Sequence, residues 1–373
     1  MSAGLTATHP ASVFMTTDAV GGVWNYTLEL AKGLSEAGVN VALAILGPAP
    51  TAMQLRSIEA VTGSRACITG LPLDWTAANE TELIAACRSL AQLAARSRAD
   101  MAHLHAPALA ADGPWKLPVV AVAHSCVGTW WRAVRATPLP HDLAWRNEAT
   151  RRGLHRAGAI IAPSHSFAAA LRAIHGDGFP ITVVHNGRST TASQNRMPRE
   201  QFVLAVGRLW DEGKNIALLD ECAARLNVPV YAAGPVTGPN GATASVSHIH
   251  ILGPIDHAQL ARLYASASLF VSPARYEPFG LAVLEAAMAE TPLILSDIPT
   301  FRELWEGAAV FSPADDAAAL APAIQDLFGS PERRDELGQA ARIRAQRYTA
   351  DKMVNSILGV YRTLLAGAAG QAA

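Results

Sequence analysis

Residues Pro273–Glu290 read PARYEPFGLAVLEAAMAE and follow a short apolar run, LFVS at Leu269–Ser272. The run predicts a buried strand, and the stretch after it predicts a turn and a helix. Pro278 and Gly280 mark the turn, since proline tolerates a helix start where its missing N–H is not needed. Leu281, Leu284, Ala287 and Met288 recur at helical spacing, which predicts one buried face. Two carboxylates bracket the turn, Glu277 before the helix and Glu285 inside it. On one continuous helix they would stand ~12 Å apart, beyond the roughly 5–10 Å of a hydrolytic acid–base pair. That spacing suits a long ligand touching both. The N–H groups of Phe279, Gly280, Leu281 and Ala282 would point between them, where an anionic group is favoured.

Outward from this stretch, strands alternate with helices in both directions, which implies parallel, doubly wound sheets. Toward the N-terminus the expected strands are Ser12–Thr17, Val39–Leu46, Met101–Leu104, Val119–Ala123, one at Ala159 and Ile181–Val184. VNVALAIL at Val39–Leu46 is almost wholly apolar, as a strand buried on both faces should be. The polar stretch RSTTASQNRMPRE, residues 188–200, lacks periodicity and reads as a linker. A second series starts at Phe202 and continues through strands at Val228, His248, Leu269, Leu293 and Ala309 to three closing helices. Met353, Ile357, Val360, Tyr361 and Leu364 are spaced to bury one face of the last helix. The expected fold is α/β: two Rossmann-like, doubly wound domains facing across a cleft, residues 1–187 and 188–352. Hinges are expected near the linker and near Thr349–Lys352.

Composition narrows the function. The chain has 373 residues, 50% apolar and 16% charged, with a net charge of −1, which argues against a general nucleic-acid binder. The four cysteines, Cys67, Cys87, Cys126 and Cys222, lie far apart and read as reduced, buried thiols rather than a disulfide frame or zinc site. The first residues, MSAGLTATHP, have neither a basic nor an apolar signal region, and no apolar run approaches the ~20 residues that span a bilayer. A cytoplasmic protein is expected, with contact at the inner face of a membrane as a further reading.

Several residues can carry chemistry. Arg208 and Lys214 lie in VGRLWDEGKN, directly after a strand, where open parallel sheets bind ligands. There Arg208 offers a fork and Lys214 a point charge, enough to clamp a diphosphate. The competing reading is a salt bridge to Asp211 or Glu212. Gly21 and Gly22 stand between a strand and a helix and permit close backbone approach to a ligand, or form a plain tight turn. His124 ends the strand VVAVA. Leu252 and Gly253 form either a base-binding edge or a simple turn. Residues 128–156 carry six arginines against Asp142 and Glu148, together with Trp130, Trp131 and Trp145. Asp142/Arg146 and Glu148/Arg152 are spaced as i, i+4 pairs on a solvated helix face. Trp130, Trp131, Arg132 and Arg135 have no such partners. They suit a stacked sugar, an anionic or phosphorylated acceptor, or a lipid headgroup surface.

The form E-P-F-G-L-x-x-L-E-A, with G-R…K-N upstream, resembles the signature of glycosyltransferase family 4, of GT-B type, and the resemblance covers essentially the whole chain. It implies a retaining glycosyltransferase that moves a sugar from a nucleotide-sugar donor, with acceptor binding in the first half and donor binding in the second. It further implies that Glu277 holds the donor sugar, Glu285 the ribose, and Arg208 with Lys214 the leaving diphosphate. His124 would contact the sugar near the reacting carbon, Gly21–Gly22 would lie over the donor phosphates, and Gly234 would lie near the nucleotide. The last helix, residues 353–373, would cross back to the first domain. Asn186–Gly187 resembles the family's P-N-G-V turn, but His185 replaces the proline and Arg188 the apolar residue, so it reads as interdomain structure. No metal or cofactor is expected, since Arg208 and Lys214 supply the positive charge. The acceptor would be a saccharide, a phosphosugar or a lipid-linked sugar. The alternatives are a sugar-nucleotide 2-epimerase or glycoside phosphorylase of this fold, or a nucleotide-sugar binder without turnover.

Overall fold

A computed structural model describes residues 9–189 and 198–372 of the protein. The chain divides into two units. One comprises the residues up to Arg132, Thr137–Gly187 and the chain from Ala350 on; the other comprises Ala133–Ala136 and Arg188–Thr349. Of the expected linker, residues 190–197 lie outside the described residues.

The first unit is built on seven parallel strands: β1 (Ser12–Asp18), β2 (Asn40–Leu46), β3 (Cys67–Ile68), β4 (Met101–Leu104), β5 (Val119–Val122), β6 (Ala159–Ala162) and β7 (Ile181–Val183). Their order is β3-β2-β1-β4-β5-β6-β7, so connections wind one way from β1 to β3 and the other way from β4 to β7. The second unit has six: β8 (Glu200–Val206), β9 (Val230–Ala233), β10 (His250–Gly253), β11 (Ala267–Ser272), β12 (Leu293–Ser296) and β13 (Val310–Ser312), in the order β10-β9-β8-β11-β12-β13. Each sheet therefore has one switch point, β1/β4 and β8/β11. Beyond the carboxyl ends of such strands the connecting loops part and leave a crevice for a ligand. Central strands are apolar on both faces; Val203, Leu204, Leu269 and Phe270 are fully buried, as covering helices on both sides require.

Elements without an apolar stripe escape a reading by periodicity. The helix Ala52–Thr62 buries only Ile58. It is specified by its ends: a Thr51/Gln54 capping box, and Gly63 in the left-handed region at φ 65°. The two-residue β3 and the helices Val127–Val134 and Pro299–Trp305 are likewise additions. The helix after the central turn runs from Leu281 to Met288 and buries Val283, Leu284, Ala286 and Ala287. Leu281 and Met288, expected on its buried face, pack at the flank of the core. Cys67, expected buried, is exposed on β3, while the other three thiols are buried.

The final helix, Ala350–Ala372, belongs to the first unit. It buries Met353, Ile357, Val360 and Tyr361 and packs on the helix Gly22–Glu36, where a Cβ on Gly33 would stand 2.4 Å from a Val354 methyl. A closer approach joins the helix Ala144–Arg156 to the turn Pro107–Ala110: a Cβ on Gly153 would lie 1.8 Å from the Pro107 carbonyl oxygen. Gly153→Ala must push these elements apart, so we expect a loss of about 2–3 kcal/mol in urea denaturation. An unchanged midpoint would show that the helix can shift without cost.

Candidate active site

In the second unit, two loops leave the sheet at its switch point. The loop after β8 turns through Glu212–Lys214 and is locked by its own carboxylate. Asp211, 7% exposed, accepts from the Gly213 N–H at 2.9 Å and from Arg208 Nη2 at 2.8 Å. Asn215, left-handed at φ 57°, donates from Nδ2 to the carbonyls of Pro273 at 3.0 Å and Ala314 at 2.7 Å. The Gly213 carbonyl accepts from the N–H groups of Arg275 and Tyr276 at 2.9 and 3.2 Å. The β8 loop and the β11 loop are thus bound together by main-chain and amide hydrogen bonds. Their functional side chains meet where they join: Lys214 Nζ lies 2.5 Å from Glu277 Oε2, with 22% and 14% of the two side chains exposed.

Of the two readings offered for the cations, the structure shows Arg208 in the local ion pair with Asp211 and Lys214 in a long-range pair with Glu277. The Arg208 guanidinium also lies 5.5 Å from the Trp210 ring centre, and its Nε is enclosed without a partner among the described residues.

Gly280 precedes the helix at φ 93°, and the N–H groups of Leu281, Ala282 and Val283 have no acceptor within the helix. Phe279 is buried beneath the turn, edge to face on Tyr348 at 5.6 Å. Glu285 sits in the second turn with both oxygens held. Oε1 takes Arg188 Nη2 at 2.9 Å, and Oε2 takes the Tyr264 hydroxyl at 3.2 Å. Burial, and then the Glu285 charge, push the Tyr264 phenol well above its ordinary range, so it stays a donor. Sequence reasoning missed both partners; the departure from the family's turn at Arg188 was the signal that could have found one. Behind the helix, the Arg199 guanidinium donates to the carbonyls of Tyr264, Ala265, Ala267, Ala289 and Glu290 at 2.8 to 3.1 Å, closing the ends of two helices with one cation.

Gly234 follows β9 at φ 138°, and a Cβ there would fall 1.8 Å from the Gly207 carbonyl oxygen. Its N–H donates to the Gly253 carbonyl at 2.9 Å, and Gly207 N–H donates to the Ala233 carbonyl at 3.0 Å. Glycine is demanded at this position by backbone packing, with or without a ligand. Leu252 is 36% exposed beside Gly253 at the carboxyl end of β10.

In the first unit, Gly21 caps the helix Gly22–Glu36 at φ 148°, ψ −125°, a region that side chains avoid. His124 follows β5 as a half-buried residue whose Nε2 is enclosed. Burial pushes it down to about 3.

The basic segment is more occupied than expected. Arg146 donates to the carbonyls of Asp74 and Ala77 at 2.8 and 2.7 Å rather than pairing with Asp142. Glu148 binds Arg151 at 2.7 Å and stands 3.8 Å from Arg152. That i, i+4 pair forms, and Arg152 also binds Glu80 and Asp112 more closely, at 2.9 and 3.0 Å. Arg146 and Arg152 reach neighbouring segments of the protein, while Glu148 and Arg151 keep nearly half of their side chains in water. Trp130 and Trp131 stand with ring centres 6.2 Å apart, and Trp131 Nε1 donates to the Thr137 carbonyl at 2.9 Å. Arg132 is exposed. Arg135, grouped with the second unit, donates to Glu212 at 2.6 Å.

Among the described residues, no group of three or more His, Cys, Asp or Glu could hold a metal ion, and no helix is long and apolar enough to cross a membrane.

Two Rossmann-like parallel sheets, with basic and acidic side chains meeting beyond the carboxyl ends of the second, define the GT-B class of glycosyltransferases. Residues 20–192 match the family model of Glycosyltransferase Family 4, and residues 188–344 that of Glycosyl transferases group 1. The chain thus carries a Glycosyltransferase Family 4 domain followed by a Glycosyl transferases group 1 domain. Glycogen synthase of Mycobacterium tuberculosis is 29% identical over 309 residues, which cover 74% of this chain and 71% of that protein. Sucrose-phosphate synthase of Thermosynechococcus elongatus has the same fold, with a TM-score of 0.75 at 21% identity, over 95% of this chain and 99% of that one. HepE of Anabaena, solved with UDP-glucose, gives 0.73 at 16% identity, over 94% and 99%.

Buried neutral imidazoles link stability to pH. His103 and His124 are pushed down to about 3, His175 to about 4, and His105 well below its ordinary value, all chiefly by burial. As pH falls below the unfolded value near 6.5, the unfolded chain takes up protons that the folded chain refuses. Each histidine then costs up to ~1.4 kcal/mol per pH unit. Asp74, which burial pushes up to about 6, opposes this with a single proton. Stability should therefore fall from pH 7.5 to pH 5, read as a lower urea midpoint; equal midpoints would mean that these imidazoles are protonated in the folded protein.

Proposed function

We propose that this glycosyltransferase is retaining and metal-independent, transferring a sugar from a nucleoside-diphosphate sugar to a saccharide or phosphosugar acceptor. The observation that carries the donor reading is the meeting of Lys214 with Glu277 at 2.5 Å across the loops from β8 and β11. A carboxylate that accepts sugar hydroxyls and a cation that receives phosphate charge then lie side by side, as a glycosyl diphosphate requires. The helix N-terminus at Leu281 adds unpaired N–H groups. Glu285, oriented by Arg188 and Tyr264, receives the ribose hydroxyls.

The bond that breaks joins the anomeric carbon to the diphosphate. Negative charge grows on the leaving oxygen while the sugar becomes oxocarbenium-like. Arg208 and Lys214 stabilise the first, and the departing phosphate oxygen takes the acceptor proton, so attack comes from the same face. In the resting protein, Asp211 and Glu277 keep the two cations placed; the donor diphosphate competes with these carboxylates for them. Electrostatic preorganisation of this kind is the main source of rate. The acceptor is assigned to the first unit, with Trp131 and Arg132 on the helix Val127–Val134 as the stacking and charged groups. The relative named glycogen synthase supports a saccharide acceptor.

Glu277→Gln should spare affinity for the free nucleotide, whereas Glu285→Gln should weaken it, in titration calorimetry with nucleoside diphosphates. Equal losses in both would contradict the division of roles.

Arg208→Ala and Lys214→Ala should each lower kcat by about 10²–10³-fold and raise KM less, because the contact strengthens in the transition state. Near-normal turnover in both would move the diphosphate site elsewhere.

A further inference from the structure

His124 follows β5 with Nε2 enclosed and unpartnered among the described residues, a condition that buried polar atoms seldom hold without a cause. Its neighbours supply one. Tyr26, on the helix Gly22–Glu36, meets the His124 ring at 4.6 Å and 74°. His105, just past β4, meets it at 5.2 Å and 82° and meets Tyr26 at 5.3 Å and 79°. The three rings stand nearly perpendicular to one another, and the Tyr26 hydroxyl and both imidazole Nε2 atoms are buried without a hydrogen-bond partner among the described residues.

His105 is the member fixed by hydrogen bonds. Thr27 donates its hydroxyl hydrogen to the Val23 carbonyl at 2.8 Å, so its oxygen accepts from His105 Nδ1 at 3.2 Å. That places the proton on Nδ1 and leaves Nε2 with a lone pair. The His105 main-chain N–H donates to Thr16 Oγ1 at 2.9 Å. Behind His105 packs His103, at 5.0 Å and 88°, tied through Nδ1 to the Tyr361 hydroxyl at 2.7 Å.

We propose that His105, together with Tyr26, is a positioning residue for His124: the two rings exclude water from its imidazole and hold it neutral at the carboxyl end of β5. This rests on the reading of His124 as the group that meets the donor sugar. A neutral ring there can hydrogen-bond a sugar hydroxyl, whereas an imidazolium would repel the positive charge that grows on the sugar. The titratable groups that face His124 are Tyr26 from the helix and His105, backed by His103, from the β4 end. Burial keeps the Tyr26 phenol protonated and both of these imidazoles neutral.

The test follows His124 itself. With the full chain labelled with 15N-histidine, its signal is assigned by its loss in His124→Asn. In the wild-type protein it should not titrate between pH 8 and pH 5. His105→Asn keeps a donor for Thr27 but removes the ring, so water reaches His124 and its midpoint should rise to about 5.5–6.5. Over the same range kcat should acquire a fall of about tenfold at acid pH with an unchanged donor KM, and His105→Phe, which restores a ring, should return the flat profile. A wild-type His124 that titrates above pH 6 overturns the proposal without any variant. So does a His105→Asn protein whose His124 stays silent and whose kcat stays flat. Undiminished transfer by His124→Asn would instead overturn the catalytic reading of His124, whatever the titration shows.

Discussion

The Lys214–Glu277 ion pair is the contact on which the second unit's site depends. Lys214 ends a single 3-10 turn, Glu212–Lys214, and Glu277 lies in a loop, so each needs an anchor. Asn215 and Gly213 tie the β8 loop to the β11 loop, and the ion pair joins the tips. Its strength comes from partial burial. With 22% and 14% of the side chains exposed, the Coulomb attraction is screened less than in water, and each ion gives up part of its hydration in return. Each charge compensates the other across the two loops.

The first unit handles polar groups at the same place in its sheet by the opposite device. Around β1, β4 and β5 the groups are imidazoles and phenols rather than charges. They are kept uncharged by burial and packed ring against ring. The second unit places fixed charges at its loop ends, whereas the first unit places buried, neutral imidazoles at its own.

Local rules and tertiary packing disagree most clearly in the basic segment. Asp142/Arg146 and Glu148/Arg152 have the spacing of solvated helix pairs; Arg146 instead serves the carbonyls of a neighbouring loop, and Arg152 keeps Glu148 at 3.8 Å but binds Glu80 and Asp112 more closely. A guanidinium with five donors satisfies a buried loop better than an exposed pair satisfies it, because an unpaired buried carbonyl costs more than a surface ion pair gains. Gly234 carries a related lesson. A glycine in a ligand-facing turn invites a ligand explanation, but the Gly207 carbonyl already forbids any larger side chain there.

The alternation of apolar runs with helical periods was enough to read two doubly wound parallel sheets, because strands buried on both faces and helices buried on one have distinct spacings. The E-P-F-G turn and the G-R…K-N loop were legible for a similar reason: local chemistry writes them into a few adjacent residues. Helices specified by their caps, such as Ala52–Thr62, were not legible by period. Nor were the partners of the functional residues. Lys214 with Glu277, Arg188 with Glu285, and Tyr26 with His105 and His124 are separated along the chain by tens of residues. Only the winding of strands about a switch point brings such groups to the same loop ends, so their pairing, burial and protonation are decided by the tertiary structure.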